Sequence, residues 1–268
     1  MSILDDFRVD GRVALVTGAG RGIGRATAVA LAEAGADVVV AARTAEQLEE
    51  VAGHIRSLGR RAEAVPFDVM ELERLGELVE VATDRLGGLD LLVNNAGGSF
   101  PRPLLDTSVG SFERAFRFNV TTALELTKQA VPAMLARGGG SVVNISSAIG
   151  RLTDRGFAAY GTAKGALTHL TKLMACDLSP HIRVNGIAVG SVETSALETV
   201  LTDDGIRTAM EAATPLRRLG RPEDIAAGVL YLCSPAGSFI TGKLLEIDGG
   251  TESATLGLGL PDLEPTGP

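Results

Sequence analysis

Val13-Ala14-Leu15-Val16 runs directly into Thr17-Gly18-Ala19-Gly20-Arg21-Gly22-Ile23-Gly24, and a helical pattern follows from Arg25 to Ala34. Few folds accommodate that succession. A short, wholly apolar run is what a strand covered on both faces requires. Glycines allow the backbone to approach a pyrophosphate closely, and the free N–H groups and dipole of a first helical turn attract it. Strand, glycine turn and helix together therefore make an anion site. The spacing is G-x-x-x-G-x-G on Gly18, Gly22 and Gly24, not G-x-G-x-x-G, and the absence of G-K-[ST] excludes a P-loop. A glycine-rich turn without a nucleotide role is the competing reading.

The same alternation continues along the chain. Strand patterns fall near 12–17, 37–42, 61–66, 89–93, 140–146, 181–188 and 243–247, and helical patterns near 22–34, 45–58, 71–86, 108–136, 157–178, 193–212 and 222–233. Such alternation implies right-handed crossovers and a parallel sheet with helices on both faces. The expected architecture is a single α/β domain over residues 1–250, doubly wound and Rossmann-type, with seven strands. The connections are too short for a linker. Residues 251–268 are rich in Gly and Pro and are expected to be irregular or laid across a neighbouring subunit.

Composition narrows the function classes. Hydrophobic residues make up 45% of the 268, enough for a sizeable core. A formal net charge of −8 argues against nucleic acid as a partner. Apolar runs are strand-length and far short of a membrane span. The acidic start, Met1-Ser-Ile-Leu-Asp-Asp6, is unlike a signal peptide, and two cysteines are too few for a disulfide framework, so a cytoplasmic protein is expected. His54, His169 and His181 lack metal-ligand spacing, and no metal is expected.

Tyr160 and Lys164 stand four residues apart in Tyr-Gly-Thr-Ala-Lys, one helical turn along the same face. An isolated phenol has a pKa of roughly 10 and is a poor acid or base at neutral pH. A cation held beside it favours the phenolate. Alone, this spacing is common by chance. It does not stand alone, because Thr17-Gly-x-x-x-Gly-x-Gly24, Asn94-Asn95-Ala96-Gly97, Ser147, Tyr160-x-x-x-Lys164 and Asp248-Gly249-Gly250 follow in order. In that order and spacing the chain, from about Val13 to Gly250, resembles the short-chain dehydrogenases/reductases.

The resemblance implies a catalytic tetrad of Asn119, Ser147, Tyr160 and Lys164, with Ser147 preferred to Ser146 because the family's serine precedes the tyrosine by thirteen positions. It implies hydride transfer between a nicotinamide and a carbonyl or secondary alcohol. Tyr160 is the acid/base, Ser147 orients the substrate oxygen, and Lys164 lowers the tyrosine pKa and relays protons through a water at Asn119. Gly18, Gly20, Arg21, Gly22, Ile23 and Gly24 would cradle the cofactor, while Asp68 and Val69 would meet the adenine. Asn95, Ala96 and Gly97 would line its floor. Asn94 is given a structural role, tying strands. Gly190, Val192 and Thr194 would face the nicotinamide, Thr194 through its carboxamide. Val189-Gly190 replaces the family's Pro-Gly, and the loss of a fixed φ predicts a less pre-organised turn.

About twenty positions beyond the glycines an acidic residue would bond the ribose 2′-hydroxyl of NAD, whereas an arginine accommodates the 2′-phosphate of NADP. This chain reads Ala42-Arg43-Thr44 there, so NADP(H) is favoured over NAD(H). Arg43 as a solvated loop charge, and Thr44 as a helix cap completed by Gln47, are the plainer alternatives.

Three further expectations concern what surrounds the site. The segment of about 190–213 is expected to form a substrate lid, its apolar positions Val192, Ala196, Leu197, Val200, Leu201, Ile206 and Met210 closing on a partly apolar substrate. Arg151 and Arg155 could meet an anionic group on that substrate, a surface role being the simpler reading. The small residues Ala159, Ala163 and Ala166, with Leu167, Leu170 and Met174, suggest a close helix–helix interface and a homotetramer. Two rival functions remain: an enoyl-type reductase of the same fold, whose members usually space Tyr and Lys more widely, and a catalytically silent cofactor-binding sensor, which would often have lost a tetrad member.

Overall fold

The computed structural model describes residues 2–194, 203–255, 260 and 262. Seven strands, β1 (Val13–Thr17), β2 (Asp37–Ala42), β3 (Ala62–Pro66), β4 (Leu91–Asn94), β5 (Gly140–Ser147), β6 (Ile182–Val189) and β7 (Leu244–Ile247), form one sheet in the order β3-β2-β1-β4-β5-β6-β7. Every pairing is parallel. The order reverses direction between β1 and β4, where Val16 pairs with Val93, and that reversal opens a crevice at the carboxyl ends of the two strands.

The strands are apolar at successive positions because both faces are covered. Side chains alternate across a strand, so Ala14, Val16, Val38 and Val40 enter one core and Val13, Leu15, Val39 and Ala41 the other. Helices α1 (Gly22–Glu33), α2 (Ala45–Ser57) and α8 (Pro222–Cys233) close the first face, through residues such as Leu31, Leu48 and Val229. Helices α3 (Gly76–Val81), α5 (Thr122–Ala136) and α6 (Ala158–Leu178) close the second, through Leu78, Leu126 and Met174. No helix among the described residues is long and apolar enough to cross a membrane.

Two long helical patterns are interrupted. The stretch expected at 71–86 is a 3-10 turn at Leu72–Arg74, then α3, then a π turn at Ala82–Leu86. The stretch expected at 108–136 is α4 (Val109–Phe116), a π turn at Arg117–Thr121, and α5. Asn119 lies in that second π turn, and π turns inside helices are often found at functional sites. Of the helix expected at 193–212, α7 (Asp204–Ala213) is described, whereas 195–202 lie outside the described residues.

One local alternative, the Thr44 cap, is not formed. Thr44 stands at the N-terminus of α2 but makes no capping bond with its side chain. Gln47 instead leans towards the glycine turn, its Oε1 lying 3.0 Å from where a Cβ on Gly20 would be. Val189 is held in the sheet, paired with both Ser147 and Ile247, and Gly190 N–H donates to Ile247 O at 3.1 Å. Finally, Ala163 and Leu167 are buried against Val120 and Ala123 of the same chain. Ala163 and Leu167 thus pack beside the Asn119 turn, while Ala159, Ala166 and Leu170 stay partly exposed.

Candidate active site

The glycine turn after β1 is shaped by its neighbours. Gly18 (φ 64°) and Gly22 (φ 53°) occupy left-handed backbone that side-chain-bearing residues rarely adopt. At Gly24 a Cβ would lie 2.2 Å from the Gly18 carbonyl oxygen, so the turn closes directly onto the helix. Helix α1 has no side-chain cap, and its first ladder bond is Arg25 N to Arg21 O at 3.3 Å. The N–H groups of Gly22, Ile23 and Gly24 precede that bond and face the crevice end of the sheet. An uncapped helix start behind a glycine cradle fits a pyrophosphate.

The loop after β4 is stitched to this turn. Thr17 Oγ1 accepts the N–H groups of Asn95 and Ala96, each at 3.1 Å, and Asn95 Nδ2 donates to Thr17 O at 2.8 Å and Gly18 O at 3.1 Å. Asn94 points the other way, into a buried chain of amides and hydroxyls. Its Nδ2 donates to Asn144 Oδ1 at 2.9 Å and Thr127 Oγ1 at 3.2 Å, and Asn144 Nδ2 donates to Thr171 Oγ1 at 2.9 Å. The chain ties β4 and β5 to the helices that carry the site. Asn144, Thr127 and Thr171 were missed in the sequence, although Asn144 is a polar residue inside the apolar strand Val142-Val143-Asn144-Ile145, which is a recognisable signal.

A second cluster lies beyond the same loop. Asn119 is buried, receives the Gly98 N–H at 2.9 Å, and donates to Gly98 O at 3.0 Å and Ala115 O at 2.8 Å. A Cβ on Gly97 would lie 2.7 Å from Asn119 Oδ1 and 3.1 Å from Lys164 Nζ, so those two groups converge on the one residue without a side chain. Lys164 is buried, donates to Ile145 O at 2.8 Å, and places Nζ 5.7 Å from the centre of the Tyr160 ring. Desolvation pulls its pKa down to about 8.

The phenol behaves differently from the expectation. Its pKa is raised, because enclosure by protein disfavours the phenolate, and the Ser147 hydrogen bond opposes that rise. Of the two serines, Ser146 bonds Lys164 O and Thr168 Oγ1, each at 3.0 Å, whereas Ser147 faces the phenol.

The remaining residues frame the crevice. The methyl group of Thr194 lies 3.4 Å from the Cβ position on Gly22, which brings the β6 turn up to the glycine turn. Gly190 abuts Asp248, and Val192 is buried and bridges to Gly220. Asp68 Oδ1 accepts Met70 N–H at 3.0 Å, and Val69 packs into the core. Arg21 and Arg43 are exposed, before α1 and after β2 respectively.

Arg151 and Arg155 are engaged elsewhere. Arg151 pairs with Glu246, Asp248 and Glu252, and Arg155 with Asp262 and the Leu260 carbonyl. Arg151 is largely enclosed by these partners, whereas Arg155 stays more than half exposed. Among the expected lid residues Val192 and Met210 are buried and Ile206 is exposed, while Ala196, Leu197, Val200 and Leu201 lie outside the described residues.

Comparison with known proteins agrees with this geometry. The family model described as "Enoyl-(Acyl carrier protein) reductase" matches residues 18–252. An uncharacterized oxidoreductase of Mycobacterium tuberculosis (strain CDC 1551 / Oshkosh) is 57% identical over 262 residues, 97% of this chain and all of that one. A 7 alpha-hydroxysteroid dehydrogenase solved with NADH and 7-oxo glycochenodeoxycholic acid superposes with a TM-score of 0.90 at 40% identity, covering 94% of this chain and 98% of its own. A gluconate 5-dehydrogenase from Burkholderia cenocepacia J2315, solved with NADP and tartrate, gives a TM-score of 0.87 at 35% identity, covering 93% and 98%.

Proposed function

Because this chain belongs to the short-chain dehydrogenase/reductase family and is thereby a nicotinamide-dependent oxidoreductase, we propose that it interconverts a carbonyl and a secondary alcohol with Tyr160 as acid and base. The observation that carries this reading is the convergence of Ser147 on the Tyr160 phenol, with Lys164 Nζ one helical turn away. The bound nicotinamide supplies or accepts hydride. Tyr160 gives its proton to the carbonyl oxygen in reduction and takes it back in oxidation. Ser147 holds the same oxygen by a hydrogen bond that strengthens as negative charge develops. Lys164, charged below pH about 8, adds positive potential beside the phenol. Asn119 fixes Gly98 and so holds the loop of Asn95, Ala96 and Gly97 against the site.

The cofactor would lie along the crevice. Gly18, Gly20, Arg21, Gly22, Ile23 and Gly24 take the pyrophosphate, Asp68 and Val69 the adenine side, and Gly190, Val192 and Thr194 the nicotinamide side. Exposed Arg43 at the end of β2 supports NADP(H) over NAD(H), since no carboxylate stands there. The substrate is a small carbonyl or alcohol with an apolar part, and the protein a cytoplasmic homotetramer. Reduction of a carbon–carbon double bond is the second reading, favoured by the printed description of the matching family model. The three-residue gap between Tyr160 and Lys164 favours carbonyl chemistry.

A panel of ketones, secondary alcohols and enoyl thioesters with both cofactors tests the reading. Turnover should appear on ketones or alcohols and be nearly abolished in Tyr160→Phe, with cofactor affinity retained. Turnover confined to enoyl substrates, or an undiminished Tyr160→Phe enzyme, would overturn it.

A further inference from the structure

The segment carrying Ser147 is gripped from two sides, and neither grip belongs to the tetrad. On the inner side, the turn Ala148–Gly150 lies backbone to backbone against α6. A Cβ on Gly150 would sit 2.9 Å from the Lys164 carbonyl carbon and 3.0 Å from Gly165 N. One on Gly161 would sit 3.1 Å from Ile149 O. These contacts flank Tyr160 and Lys164, so any displacement of the turn changes the distance from Ser147 to the phenol.

On the outer side, the next residue, Arg151, spreads its guanidinium over the end of β7. Nη2 lies 2.8 Å from Asp248 Oδ2 and 3.1 Å from Glu246 Oε2, and donates to Thr251 O at 2.7 Å, while Nη1 reaches Glu252 at 3.2 Å. Asp248 is the buried partner, and its Oδ1 accepts Gly250 N–H at 3.0 Å and Thr251 N–H at 3.3 Å. Its backbone also backs Gly190, where a Cβ would lie 2.5 Å from Asp248 Cα. One carboxylate thus joins the segment that follows Ser147 to the turn that leads to Thr194.

We propose that Arg151 is a positioning residue, which holds the Ser147 turn against Tyr160 by anchoring it to Asp248. This rests on the carbonyl/alcohol reading for its effect on turnover, but not for its effect on the phenol. Without the anchor the turn keeps its place at the end of β5 and its seat on α6 but loses the link to Asp248, and the Ser147–Tyr160 bond is held less firmly. Losing that bond leaves burial unopposed, and the Tyr160 ionisation moves higher.

The test is Arg151→Gln with Arg151→Lys as its conservative partner. The chain has two tyrosines, so a Tyr231→Phe background leaves Tyr160 as the one phenol to titrate by phenolate absorbance. Arg151→Gln should lower kcat by roughly tenfold to a hundredfold with little change in cofactor Kd. It should also shift the Tyr160 titration to higher pH, and Arg151→Lys should recover part of both. Asp248→Asn keeps the Oδ1 acceptor and removes the charge, so it serves if Arg151→Gln folds poorly. It should move kcat and the titration the same way, and a double variant should be no worse than the worse single one. A wild-type kcat and titration in Arg151→Gln or Asp248→Asn, or additive losses in the pair, overturn the proposal. Should the wild-type enzyme turn over no ketone or alcohol, the functional reading falls, and the phenol titration still decides the role of Arg151.

Discussion

A buried lysine is costly, and Lys164 shows where that cost lies. Among the described residues its ammonium has one acceptor, Ile145 O, and desolvation brings its pKa from 10.5 to about 8. Below about 8 the folded and unfolded chains both carry the proton, so the penalty is present in full. Between about 8 and 10.5 the unfolded chain binds more protons than the folded one, and stability rises with pH, by roughly 3 kcal/mol at most. Urea midpoints measured across that window should rise in the wild type relative to Lys164→Met, which has no proton to lose. Parallel curves for the two proteins would show that Lys164 is not held as described. Arg43 supplies the second residue-scale prediction. Arg43→Ala should weaken NADP binding about tenfold or more, since a charge-assisted hydrogen bond contributes roughly 1.5–3 kcal/mol. NAD affinity should barely change, and a wild-type preference for NAD in fluorescence titrations would refute the assignment.

The glycine turn and the loop after β4 work as one element, because Asn95 and Thr17 bind them edge to edge. Gly24 is the tightest point of that element. Gly24→Ala would drive a methyl group into the Gly18 carbonyl and towards Asn95 Nδ2, which lies 2.6 Å from the Cβ position. Neither neighbour can yield without opening the turn. The expected result is a loss of about 1–3 kcal/mol of stability, as in other overpacked sites, together with a marked fall in affinity for either cofactor. Thermal melts and cofactor titration read the two effects separately. Full cofactor affinity in a folded Gly24→Ala protein would show that this turn is not the pyrophosphate cradle. The π turn at Asn119 is a second such element, where a helix widens so that one amide can serve Gly98 and Ala115 together.

For the whole molecule the open question is assembly. On α6, Ala163 and Leu167 pack within the chain, while Ala159, Ala166 and Leu170 stay partly exposed. A different apolar surface is left exposed on α4, where Val109, Phe112 and Phe116 recur at helical spacing beside a groove of about 670 Å³ that also meets Met70 and Thr121. Such a stripe is unusual on a protein that works alone. Light scattering should give an assembly larger than a monomer, and Phe112→Glu should reduce its size without unfolding the protein. A wild-type monomer at micromolar concentration would contradict the homotetramer.

The sheet, its parallel sense and the place of each strand were legible in the chain, because a strand buried on both faces is mostly apolar and needs a helix to return. The glycine turn was legible for a similar reason: positive φ and close backbone approach leave few alternatives to glycine. Tyr160 and Lys164 were legible as a pair because helical spacing puts them on one face and the other motifs stand in register with them. Long-range contacts decided the rest. No spacing rule tells that Arg151 is spent on Glu246, Asp248 and Glu252, nearly a hundred positions away, or that Asn94 reaches Asn144 and Thr171 through the core. Likewise the pKa of Tyr160 is raised by how deeply the fold encloses the phenol, which no local spacing gives. Local pattern specifies which elements form; the environment of each charged or polar group is set only once those elements have packed.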